Sequence, residues 1–96
     1  MIIKKKIKII NSQGLHARPA SNFVKIANRF EAEVTVRKGK EAVNGKSIMG
    51  LMTLAANKGS ELELEASGAD ALEMINALVE FLESDVEDEK GGGKSK

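Results

Sequence analysis

The sequence has no cysteine, tryptophan or tyrosine, and among its 96 residues it has only three phenylalanines, one proline and one histidine. Without cysteine there is no disulfide, no thiolate metal ligand and no thiol nucleophile. A single histidine with no cysteine leaves zinc without its usual donor set. Neither a metal nor an organic cofactor is expected. Aromatics make up 3% of the chain, too few for modules that stack bases on aromatic rings. Fifteen basic and 14 acidic residues leave a formal charge of +1. No global field therefore draws the chain to nucleic acid or to a membrane surface. The longest apolar run falls far short of the roughly 20 residues that a membrane helix needs, so insertion is not expected. Lysine interrupts Met1-Ile2-Ile3-Lys4-Lys5-Lys6-Ile7, which does not read as a signal peptide. The expected setting is the cytoplasm and the expected form a monomer.

What is present suffices for one small domain, with 42% hydrophobic residues to fill its core. With so few aromatics, that core must be built of Ile, Leu, Val, Met and Ala. Residues 2–10 read as a strand: Ile3, Ile7 and Ile9 share one face, with Lys5 the exception, and Lys4, Lys6 and Lys8 occupy the other. Asn11-Ser12-Gln13-Gly14 is a turn. Ala20, Phe23, Val24 and Ala27 recur at helical spacing and predict a helix over 17–29. Residues 32–38 alternate as a strand, Lys38-Gly39-Lys40 fits a hairpin turn, and a short strand runs through Ala42 and Val43. Residues 47–54 read as a short helix weakened by Gly50. Leu62, Leu64 and Ala66 alternate with Glu61, Glu63 and Glu65. Asp70-Ala71-Leu72-Glu73 resembles a capping box and opens a helix to about Glu83, with Ala71, Ile75, Leu78 and Leu82 inward.

The order β-α-β-β-α-β-α predicts an α+β fold, an open-faced β-sandwich. A four-stranded, mainly antiparallel sheet would carry three helices on one face. Lys4, Lys6 and Lys8 on the first strand complement Glu61, Glu63 and Glu65 on the last. Opposite charges on neighbouring strands help by roughly 0.2–1 kcal/mol per pair. The first and last strands are therefore expected to be neighbours, with the last lying between the first and second. The domain is expected over 1–85. Residues 86–96 lack periodicity, carry a glycine run and read as a flexible tail.

Gly14-Leu15-His16-Ala17-Arg18-Pro19-Ala20 lies where strand gives way to helix. An imidazole ordinarily titrates near neutral pH, so its nucleophilic form is abundant there. His16 falls at or beside a helix N-cap, where unpaired N–H groups and the positive end of the dipole favour an anion. Arg18 adds a fork of donors suited to phosphate, and Pro19 stiffens the first turn. Such a place can position a phosphoryl group on the imidazole. On spacing alone, a histidine serving only as a helix cap is an equal reading. Ser47 has a plain reading as the N-cap of the next helix, and that position also suits modification. Ile48, Met49, Leu51, Met52 and Leu54 are all apolar. One short helix cannot turn them all inward, so some are expected beside Ser47 at the surface.

Gly14–Ala20 resembles the active-site signature of HPr, the histidine-containing phosphocarrier family of the bacterial phosphoenolpyruvate-dependent sugar phosphotransferase system. Asn44-Gly45-Lys46-Ser47-Ile48-Met49-Gly50-Leu51-Met52 resembles the family's second signature. Ala66-Ser67-Gly68-Ala69-Asp70 resembles its final turn, and element order and spacing match over residues 1 to about 85. The resemblance implies a covalent carrier rather than an enzyme. Enzyme I would pass phosphate to Nδ1 of His16, Arg18 would assist the phosphoryl group, and IIA domains of sugar permeases would receive it. It also implies that an HPr kinase/phosphorylase modifies Ser47 with ATP, producing a corepressor for a catabolite control protein and a poor acceptor for enzyme I. Charge added near His16 would repel an acidic partner and compete for Arg18. Ala17, Ala20, Ile48, Met49 and Met52 would contact partners. A purely regulatory protein like the Crh paralogue, which lacks the histidine, is discriminated by His16. The nitrogen-related branch is disfavoured by Lys46-Ser47-Ile48-Met49-Gly50. A generic ligand-binding sandwich would leave both motifs unexplained.

Overall fold

The computed structural model describes residues 1–10, 14–54 and 56–84. Its elements run β1 (Ile2–Lys8), α1 (Ala17–Ala27), β2 (Glu33–Lys38), β3 (Glu41–Asn44), α2 (Ile48–Thr53), β4 (Glu61–Ser67) and α3 (Ala71–Leu82), the predicted order. The sheet is ordered β1-β4-β2-β3 and every neighbouring pair is antiparallel. The three helices lie over one face, giving the open-faced α+β sandwich read from the sequence. Residues 11–13 of the first turn, the domain limit at residue 85 and the tail over 86–96 lie outside the described residues.

β4 sets the sheet, because its two ladders are the longest, seven residue pairs with β1 and five with β2. Opposite it on β1, Lys4 meets Glu65, Lys6 meets Glu63 and Lys8 meets Glu61, the pairing that the charges predicted. On its other side Arg37 of β2 stands opposite Glu63 and forms ion pairs with Glu63 and Glu65. The alternation of Glu33, Val34, Thr35 and Val36 marked β2 but gave no sign that Arg37 would take these carboxylates. Its hydrogen bond holds the Glu65 carboxyl below the usual range, and the charge of Lys4 adds to this. On the inner face Leu62, Leu64 and Ala66 are buried, with Val34 and Val36 alongside. Truncating a buried leucine costs about 2–5 kcal/mol, several times what a surface charge pair contributes. Apolar burial therefore fixes which face turns inward, and the charges select which strands are neighbours.

Several elements end sooner than their sequence patterns. β1 stops at Lys8 rather than residue 10, because its ladder with β4 runs out at Glu61. Ile9 nonetheless stays buried, donating its N–H to Ser60 and accepting from Gly59. α1 ends at Ala27 rather than 29. Arg29 and Phe30 donate to Ile26 and Ala27, three residues back, which tightens the chain out of the helix. Lys5, the exception on the inner face of β1, remains exposed at a groove formed with Leu72, Ile75, Asn76 and Val79. A long side chain at a sheet edge can lay its stem on apolar surface and keep its ammonium in water.

α3 buries the four predicted positions and Met74 as well. Its N-cap differs from the expected capping box. Asp70 occupies the cap position, yet its side chain makes no capping bond. It turns away and accepts the N–H groups of Glu31 and Ala32, each at 2.9 Å. Asp70 thus ties the start of α3 to the turn entering β2. These backbone donors, that of Glu31 first, lower its carboxyl below the ordinary value. A group whose folded pKa is depressed contributes its stability above the unfolded pKa and loses it as pH falls. Asp70→Ala should therefore lower the thermal midpoint at pH 7. The gap to the wild type should narrow below about pH 4. Thermal melts across pH 2.5–7, on the order of ten points, test this. A gap of constant size would contradict the latch.

Candidate functional site

The chain reaches His16 through a close contact with the segment that follows α2. Gly14 has φ +67°, and a Cβ placed there would lie 2.3 Å from the carbonyl oxygen of Ala56. Only glycine permits both the left-handed backbone and this approach. Leu15 is buried and donates its N–H to the same Ala56 oxygen at 2.8 Å. With its neighbour anchored, His16 is extended (φ −93°, ψ −160°) and occupies the N-cap of α1. Its carbonyl accepts the N–H of Ala20 at 2.8 Å, the first bond of the helix.

The His16 side chain is exposed and makes no capping bond, so the histidine holds the cap position without serving as the cap. Ala17 and Arg18 are exposed beside it, and the first turn contains no acidic residue. Backbone N–H groups in a first turn have no acceptor within the helix. Pro19, third in α1 and buried, contributes none and stiffens the turn. Among the described residues both ion pairs belong to Arg37, and Arg18 enters neither. His16 and Arg18, two residues apart at the helix N-terminus, are thus both exposed, an arrangement suited to a dianionic group.

Ala20 does not belong to that surface. It is fully buried, so the expectation that it touches a partner is corrected. Its place in the apolar repeat with Phe23, Val24 and Ala27 had already turned it toward the core.

Ser47 is the N-cap of α2, and its Oγ accepts the N–H of Gly50 at 2.9 Å. The approach to it is rigid. Gly45 donates to the Val34 carbonyl at 2.7 Å, and a Cβ there would stand 2.6 Å from Val34 Cγ1. The N–H of Lys46 donates to Asn44 Oδ1, and Lys46 Nζ donates to the Phe30 carbonyl at 3.0 Å. Beyond the cap the five apolar residues divide as a helix requires. Leu51 and Leu54 are buried, whereas Ile48, Met49 and Met52 are 40%, 77% and 43% exposed. Lys38 Nζ donates to the Leu54 carbonyl at 3.2 Å and so anchors the end of α2 from β2.

α2 therefore links the two places singled out in the sequence: Ser47 begins it, and the segment just past its end seats the His16 loop. Ala56 and Lys38 were missed as supports of the site. Gly14 was the one sequence signal of the Ala56 contact, and Lys38 gave none beyond its turn. Among the described residues no group of three or more His, Cys, Asp or Glu could hold a metal ion.

The sequence model of the family described as "PTS HPr component phosphorylation site" matches residues 3–84. A phosphocarrier protein HPr of Neisseria meningitidis serogroup A is 51% identical over 81 residues, which span 84% of this chain and 91% of that protein. The HPr-like protein Crh of Bacillus subtilis is 41% identical over 85 residues, 88% of this chain and all of that one. The crystal structure of HPr-C-His from Thermoanaerobacter tengcongensis superposes with a TM-score of 0.86 at 43% identity. The match covers 92% of this chain and 99% of that one.

Two substitutions probe the supports. Gly14→Ala should cost about 1–3 kcal/mol through backbone strain and displace the His16 loop. Denaturant titration and the imidazole resonances of His16 report the two effects. Ser47→Ala should cost about 1 kcal/mol, the worth of a lost serine cap. A stability within about 0.5 kcal/mol of wild type, the scatter of a neutral surface change, would contradict either contact.

Proposed function

The chain belongs to the HPr family of phosphocarriers of the phosphotransferase system. On that premise we propose that His16 accepts a phosphoryl group from phosphorylated enzyme I and passes it to the IIA domains of sugar permeases. The observation that carries this reading is the exposed His16 at the head of α1, uncapped by its own side chain, beside Arg18 and a first turn without acids. The lone pair of Nδ1 attacks phosphorus while the bond to the donor breaks and its electron pair stays with the donor. Transfer onward reverses the roles, and the imidazole leaves with the pair. Arg18 and the first-turn N–H groups offset the charge on the phosphoryl oxygens and hold them in line. The protein ends each cycle unchanged and turns over no small molecule of its own. Ala17 and the exposed side chains Ile48, Met49 and Met52 supply the apolar surface on which partners dock.

Ser47 is proposed as the site of ATP-dependent phosphorylation by an HPr kinase/phosphorylase. The modified protein would then partner a catabolite control protein. α2 connects the two places, with Ser47 at its start and the Ala56 segment that seats Leu15 just past its end. Negative charge added at Ser47 would act on His16 by repelling an acidic partner surface and by competing for Arg18. A purely regulatory role is the second reading, on the similarity to Crh, and the exposed His16 weighs against it. No helix among the described residues is long and apolar enough to cross a membrane. The proposed setting is a monomer in the cytoplasm.

Incubation with phosphoenolpyruvate and enzyme I should place one acid-labile phosphate on the protein, and His16→Ala should abolish it. Arg18→Ala should lower the rate of acceptance by roughly 10–100-fold. ATP with HPr kinase should add an acid-stable phosphate that Ser47→Ala removes. Ser47→Asp should slow acceptance, less so at high salt. Acid-labile phosphate that persists in His16→Ala would sink the carrier assignment.

A further inference from the structure

We propose that Met49 and Met52 are a modification site for peroxides, and that their oxidation lowers the affinity of the carrier for phosphorylated enzyme I. This rests on the docking role given to α2 above. The four methionines are sharply divided by their surroundings. Met74 has no exposure, while Met49 and Met52 are 77% and 43% exposed and lie three residues apart on one face of α2. Met1, 70% exposed, lies elsewhere: its carbonyl is bonded to Gly68, just beyond the end of β4, whereas the α2 segment leads into the start of that strand. A seven-residue strand spans about 23 Å.

The chemistry needs only the thioether and the oxidant. A sulphur lone pair attacks one peroxide oxygen, the O–O bond breaks, and a sulphoxide forms. The second oxygen leaves as water, or as an alcohol from an organic peroxide, after taking up a proton. Sulphur loses two electrons and the peroxide gains them. A flexible apolar side chain becomes polar and chiral. Burying that new dipole in an apolar contact leaves it unsatisfied, which weakens docking. The change adds no charge, so it differs in kind from a phosphate on Ser47. Reductases specific for methionine sulphoxide reverse it.

The test treats the folded protein with hydrogen peroxide, maps sulphoxides by mass spectrometry, and measures transfer from phosphorylated enzyme I. Met1, Met49 and Met52 should oxidise while Met74 does not. KM should rise about tenfold with kcat little changed, the increase should persist at high salt, and sulphoxide reductases should restore the starting value. In the M49L/M52L variant, whatever its own KM, peroxide should leave KM unchanged although Met1 still oxidises. An unchanged KM in fully oxidised wild type overturns the inference. So does an increase that survives in the variant, or oxidation of Met74 as fast as Met49. Protein that takes no phosphate on His16 before oxidation overturns the carrier reading and this inference with it. Normal acceptance that is insensitive to oxidation overturns this inference alone.

Discussion

The alternation of β4 is the constraint from which the rest of the molecule follows. Leu62, Leu64 and Ala66 are buried on one side of the strand, while Glu61, Glu63 and Glu65 line the other. A slip of one residue would drive three carboxylates into the core and three apolar groups into water. Because β4 is paired on both edges, its register is imposed on β1 and β2 together. β2 then carries β3 through the turn at Gly39-Lys40. The single apolar face that results requires cover, and α1, α2 and α3 provide it.

The carrier surface is a secondary product of that packing. His16 stands at the head of α1, but it is held by a carbonyl 40 residues further along, and Lys38 steadies the same stretch from the sheet. The helix that bears Ser47 is short, so its placement depends on its neighbours more than on its own hydrogen bonds. Its outer apolar residues are exposed because its inner ones satisfy the core. The His16 imidazole, the Ser47 hydroxyl and the apolar face, to which the proposed function assigns its roles, are thus attached to one frame. None of them lies on a segment that must fold separately.

The parts legible in the sequence were those governed by periodicity or by local chemistry. The strand order followed from three lysines and three glutamates, and the cap at Ser47 followed from a serine before an apolar run. The partial exposure of α2 followed from five apolar residues crowded into the helix of six and its C-cap, Leu54. The parts that were not legible depend on contacts across the chain. Asp70 reads locally as a cap, yet two amides nearly 40 residues away capture it. Arg37 reads as one more polar alternation until β4 brings carboxylates against it. Ala20 matched a motif shared with known carriers, but motif membership does not specify which way a side chain faces.

Among the described residues β1 is an edge strand, and its outer side bears on how copies of the protein meet one another in a crowded solution. Four of its seven residues are lysine. In an antiparallel pairing of two such edges that keeps like faces together and is centred anywhere from Lys4 to Lys8, lysine falls opposite lysine. About Lys6, for example, Lys4 would face Lys8. Like charges so opposed are destabilising, and edge lysines are a common barrier to strand addition. The residues that draw β4 into place on one side thus make the other side a poor template for fibrillar growth.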